Sequence, residues 1–93
     1  MTDLFEPIEV ILADVGMMAR RARADTLSIV EYIAIAGRIR RRVDEVAADP
    51  SGVIGALFDS LDLAADARTL NRPQVSAAMD RVRQRLIRVR DGS

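Results

Sequence analysis

The chain predicts an all-α domain of four helices, arranged as two tandem antiparallel hairpins that pack with pseudo-twofold symmetry. Three observations carry this. First, the sequence matches itself at an offset of 43 residues. Pro7 falls on Pro50, Val10-Ile11 on Val53-Ile54, Thr26-Leu27 on Thr69-Leu70, and Arg38, Arg40 and Arg42 on Arg81, Arg83 and Arg85. There are 13 identities over the 41 positions from Glu6 to Val46, without a gap. Self-similarity at a fixed period marks a repeated supersecondary unit, here about 6–46 and 49–89 within a single domain 1–93. Second, apolar residues recur every three or four positions, which lines one face of a helix. Third, no segment alternates with period two, so no long strand is expected.

The first helix is read from Leu4, Ile8, Ile11, Val15, Met18 and Ala22. Its start is assigned to Glu6-Pro7, because proline loses no needed hydrogen bond in a first turn and an acid suits the positive end of the helix dipole. The second helix has the sharpest local signal. Ser28-Ile29-Val30-Glu31 is a capping box, with Leu27 and Tyr32 at the positions of a hydrophobic staple. Ile29, Tyr32, Ala36, Ile39, Val43 and Val46 form its stripe. Val30, Ile33 and Ile35 are apolar off that stripe, an excess expected of a helix that is central or faces another subunit.

Asp49-Pro50 is assigned as the start of the third helix, which runs through Ile54, Leu57 or Phe58, Leu61 and Ala64 or Ala65. Asn71-Arg72-Pro73-Gln74 repeats the capping box with amide chemistry, and Leu70 and Val75 repeat the staple. Val75, Met79, Val82, Leu86 and Val89 complete the fourth stripe. Short loops, about 23–27 and 68–70, favour antiparallel neighbours.

Composition narrows the function classes. At 93 residues, 49% apolar and 30% charged, the chain is globular, and its core must be aliphatic because Phe5, Tyr32 and Phe58 are its only aromatics. It has no His and no Cys, which removes an imidazole base, a thiolate nucleophile and an ordinary zinc site. The acidic start lacks the basic region of a signal peptide, and the apolar run Ile29 to Gly37 is too short to span a bilayer, so a cytoplasmic protein without a membrane partner is expected.

Net charge is zero, but residues 1–19 and 43–66 hold acids without arginine, while 20–42 and 67–93 hold seven arginines each. All 14 cations are arginine. Arginines near helix C-termini complement the dipole, pair with acidic helices, or bind an anionic partner. The candidate anion or nucleic-acid contacts are Arg38, Arg40, Arg41, Arg42, Arg81, Arg85 and Arg88. Asp59, Asp62 and Asp66 share a helical face, read as a solvated acidic surface near a helix end.

Residues Phe58 through Met79 resemble a degenerate EF-hand. The resemblance puts Asp62 at the first ligand position, Asp66 at the fifth, Leu70 at the central apolar site and Gln74 at the closing position. Ala64 replaces the third ligand and Ala67 the glycine, Leu70 arrives one residue late, and Gln74 cannot supply a bidentate carboxylate. In the first unit Ala19 and Arg23 stand at ligand positions and only Glu31 remains. The resemblance therefore implies a paired helix-loop-helix without calcium. No cofactor or metal and no enzymatic activity are expected. The expected function is a protein-interaction or assembly module, a homodimer included, with Leu27, Ile33, Ile35 and Arg38 as candidate interface. The alternative is a small nucleic-acid-binding regulator using the two arginine clusters.

Overall fold

The structure is a computed structural model that describes residues 4–65 and 69–92. Among these, four helices and no strand are found: α1 (Phe5–Arg23), α2 (Ile29–Glu45), α3 (Val53–Ala64) and α4 (Arg72–Asp91). They form an elongated bundle of 44 × 22 × 19 Å. Helix α1 packs most extensively on α4; the contacts of α1 with α2 and of α3 with α4 are smaller, and no other pair of helices packs as closely as these.

Side chains fix the directions. Arg38 of α2 reaches Asp14 of α1, while Arg21 at the end of α1 pairs with Glu31 at the start of α2. Arg40 of α2 pairs with Asp59 and Asp62 of α3. Arg90 at the end of α4 pairs with Glu9 near the start of α1 and stands over the Phe5 ring, 5.0 Å from its centroid. α1 and α2 thus run antiparallel, and so do α1 and α4, whose other ends are joined by Arg23 and Asp80. The packing is unequal across the repeat. α1 has 19 residues and its counterpart α3 only 12, and the broad α1–α4 contact has no equal between α3 and α2.

The core is apolar throughout: Ile8, Ile11, Val15 and Met18 of α1 meet Tyr32, Ile39 and Val43 of α2, Ile54 and Phe58 of α3, and Val75, Met79, Val82 and Leu86 of α4. No polar or charged residue is buried among the described residues. The spacing of three and four residues places these side chains on one face of each helix.

The ends of the helices show where local signals act. Ser28 completes its capping box: its hydroxyl accepts from the Glu31 amide at 3.1 Å, and the Glu31 carboxylate accepts from the Ser28 amide at 3.3 Å. Asn71 accepts from the Gln74 amide at 3.1 Å. The two Pro-based starts differ from expectation. α1 begins at Phe5 behind Leu4, without a side-chain cap. Pro50 precedes α3 rather than opening it, in a turn that ends at Gly52 with φ of 75°. Asp49 still serves the helix. Its carboxylate reaches over the turn to accept from the amides of Ile54 and Gly55, at 3.1 and 2.9 Å.

α1 and α2 both end in Schellman motifs. Thr26 and Asp25 amides bond the Arg21 and Ala22 carbonyls, and Ala48 and Ala47 amides bond those of Val43 and Asp44. The left-handed residue is Asp25 in one and Ala47, with φ of 53°, in the other. A left-handed conformation costs a residue with a Cβ about 1–2 kcal/mol, of which glycine's extra unfolded-state freedom returns part. Ala47→Gly is therefore expected to stabilise the fold by about 0.5–1 kcal/mol. A rise of a few degrees in Tm checks it.

Leu27 and Leu70 form no strand pair. Arg72, the first residue of α4, ties that helix to the α1–α2 loop instead: its Nε donates to the Leu27 carbonyl at 2.7 Å and its Nη1 lies 3.3 Å from Asp25. Asp66 and Ala67 lie outside the described residues.

Candidate functional site

Two members of the expected interface are core residues. Leu27 is wholly buried beneath the α1–α2 loop, and Ile35 is 6% exposed. The reason for Ile35 is geometric. α2 packs between two neighbours, so its buried arc extends past the principal stripe on the α1 side. Leu27 and Ile35 therefore leave the candidate interface, while Ile33 is 64% exposed and Val30 is 73% exposed on the outer face of α2.

Most of the first arginine cluster is occupied within the chain. Arg38 forms a fork on Asp14, Nε donating at 3.0 Å and Nη2 at 2.9 Å, and Arg42 lies 3.6 Å from the same carboxylate. The Asp14 hydrogen bonds raise the Arg38 pKa above the ordinary arginine value. Arg40 donates to Asp59 at 2.6 Å and to Asp62 at 3.0 Å, with its guanidinium 5.8 Å from the centre of the Phe58 ring. Arg41 is exposed and makes no ion pair with a described residue. On α4, Arg85 donates to the Ser51 hydroxyl at 3.0 Å, and Arg81 and Arg88 are exposed. The arginines are thus dispersed over separate helices, and those of α2 serve chiefly to hold α1 and α3.

The seam between α2 and α3 holds an open groove of about 490 Å³. Buried Tyr32 and Ala36 form the floor, and Ile29, Ile33 and Gly37 line the α2 wall. Arg40, Asp62 and Ala65 add a polar margin. Beside Gly37 the space is open: a Cβ there would meet nothing within 4 Å. Gly37 had no role in the sequence reading. Its signal is the spacing Ile33–Gly37, one helical turn, which sets a large side chain beside a missing one.

The groove margin is electrostatically organised. The Tyr32 hydroxyl donates to Asp62 at 2.8 Å, and among the described residues Asp62 and Asp59 share the cation Arg40. Burial, then the Asp62 hydrogen bond and charge, push the Tyr32 phenol well above its ordinary pKa. This has a measurable consequence, because the chain holds one Tyr and no Lys, His or Cys. Below about pH 10 the phenol is neutral folded and unfolded alike. Above it the unfolded chain loses the proton first, so the folded state binds more protons and stability falls as pH rises. Urea midpoints measured between about pH 8 and pH 11 should decline at the alkaline end, by at most ~1.4 kcal/mol per pH unit. Tyr32→Phe should flatten that decline while costing about 1 kcal/mol at neutral pH for the lost hydrogen bond.

Among the described residues no group of three or more acids converges as a metal site. No described helix is long and apolar enough to cross a membrane. No protein-family model matches the chain, and no match is found among curated proteins or solved structures.

Proposed function

We propose that this protein is a non-enzymatic interaction or assembly module whose partner is an apolar helical face of a protein, received along the outer side of α2 and the α2–α3 seam. The observation that carries this reading is the coincidence of an open groove with Ile33 and Val30, large apolar side chains left in solvent on the same helix. Scattered surface apolar residues need no explanation. Here they adjoin a concavity with an apolar floor, the usual setting for helix-in-groove recognition.

The nucleic-acid alternative draws less support, since Arg38, Arg40 and Arg42 are already engaged by carboxylates of the same chain. A phosphate would have to displace those partners.

Capture by the immobilised wild-type protein, after nuclease treatment, separates the two. A protein retained by the wild type and by Arg81→Glu, but lost with Ile33→Glu, supports the groove. Ile33 is exposed, so the substitution leaves the core intact. Binding that survives Ile33→Glu but disappears with Arg81→Glu or with nuclease would overturn the reading in favour of nucleic acid.

A further inference from the structure

We infer that α3 is a detachable flap: it leaves the bundle as a unit while α1, α2 and α4 stay folded, and Arg40 of α2 is the clasp that holds it shut. The inference stands on packing and charge alone. It bears on the interaction-module reading because the wall that moves is the α3 side of the seam.

α3 is the least anchored helix. It has 12 residues and buries three of them, Ile54, Phe58 and Leu61, where each of the other helices buries five or six. It packs closely on α4 only, and that contact is small beside the one between α1 and α4. α2 also packs closely on a single helix, but ion pairs of Arg38 and Arg42 with Asp14 and of Arg21 with Glu31 fasten it to α1, and Arg72 holds the loop at its start. Segments with few buried contacts are the ones that open below the free energy of global unfolding.

α3 is also poorly built to persist alone. A helix of this length is marginal in isolation, and Gly55 weakens its interior. Its charges sit at the wrong end. Asp62 lies in the last turn and Asp59 one turn earlier, with no basic residue beside them, and anions near a helix C-terminus oppose its dipole. α2 supplies the missing cation. Arg40 meets Asp59 at 2.6 Å and Asp62 at 3.0 Å and stands over the Phe58 ring, while Tyr32 donates to Asp62. Undocking removes all of these contacts together, so detachment and melting of α3 are one step. The step uncovers Tyr32 and Ala36, buried on the groove floor. The seam then widens by loss of its α3 wall, with α2 still in place.

Native-state hydrogen exchange of the full chain, followed residue by residue in low denaturant, reads the opening. The mid-helix amides of Phe58, Asp59, Ser60 and Leu61 should exchange at one common free energy, with protection at least about tenfold below the best-protected amides of α1 and α4 and with a smaller denaturant dependence. Two variants separate a flap from a general loss of stability. Arg40→Gln breaks contacts made only in the closed state, so protection should fall in all four helices by the same factor, roughly tenfold. Arg38→Ala combined with Arg90→Ala cuts ties that the closed and open states both keep. There α1, α2 and α4 should lose protection by about threefold to tenfold while α3 holds its wild-type value. Wild-type α3 amides that share the protection of α1 and α4, or α3 amides that accelerate with the rest in the double variant, would each overturn the inference. Neither readout involves a partner, so a groove that captures nothing leaves the flap standing, and a rigid α3 leaves the interaction module standing.

Discussion

Phe58→Ala should cost about 3–5 kcal/mol, the largest loss available from a single side chain here. Phe58 is wholly buried, and it is one of only three buried residues, with Ile54 and Leu61, that anchor the short helix α3. Truncation removes the transfer energy of the ring and leaves a void that the surrounding side chains fill only in part. Arg40 also loses the ring beneath its guanidinium. Domains of this size are stable by about 5–15 kcal/mol, so the variant should lie near the edge of folding, with Tm lowered by more than about 12 °C. Leu63→Ala, on the same helix but 89% exposed, should stay within about 0.5 kcal/mol. Denaturant midpoints of the two variants decide the matter. Equal effects would show that α3 does not pack through Phe58.

Leu27→Ala should cost about 2–5 kcal/mol, although the residue sits in a loop. A surface interface residue would tolerate the change within about 0.5 kcal/mol. Leu27 instead plugs the end of the bundle, and the Arg72 guanidinium holds its carbonyl from the start of α4. Losing the plug loosens the α1–α2 loop from α4. Ile33→Ala is the matched control, a large apolar residue of the same chain in solvent, and it should leave the unfolding midpoint almost unmoved. A neutral Leu27→Ala would return Leu27 to the surface.

These two residues also mark what could be read before the structure. Stripes such as Ile8–Ile11–Val15–Met18 were legible because helical burial repeats every three to four residues and the signal is local. The Ser28 cap was legible for the same reason: all of its hydrogen bonds close within four residues. Leu27 carried two incompatible readings, as a staple and as an interface. Only the start of α4, which brings Arg72 from 45 residues away, decides between them. Ile35 was misplaced because a stripe gives the centre of the buried arc and not its width. The width depends on how many helices flank α2.

Asp49-Pro50 illustrates a further limit. The acid does serve α3, but across a turn whose geometry depends on the left-handed Gly52, and a dipeptide signal cannot report that. The site was half legible. Excess apolar residues on α2 announced an outward face. The groove beside them is lined from α2 by Tyr32, Ile33 and Gly37 and from α3 by Asp62, and no single segment contains it.

The broad contact between α1 and α4 bears on how the protein is made. α4 is the principal cover of α1, so the first three helices alone leave Ile8, Ile11 and Val15 without their main shield. A nascent chain in which α4 is still unmade has no closed core, which makes this a unit that completes its folding only once α4 has been synthesised.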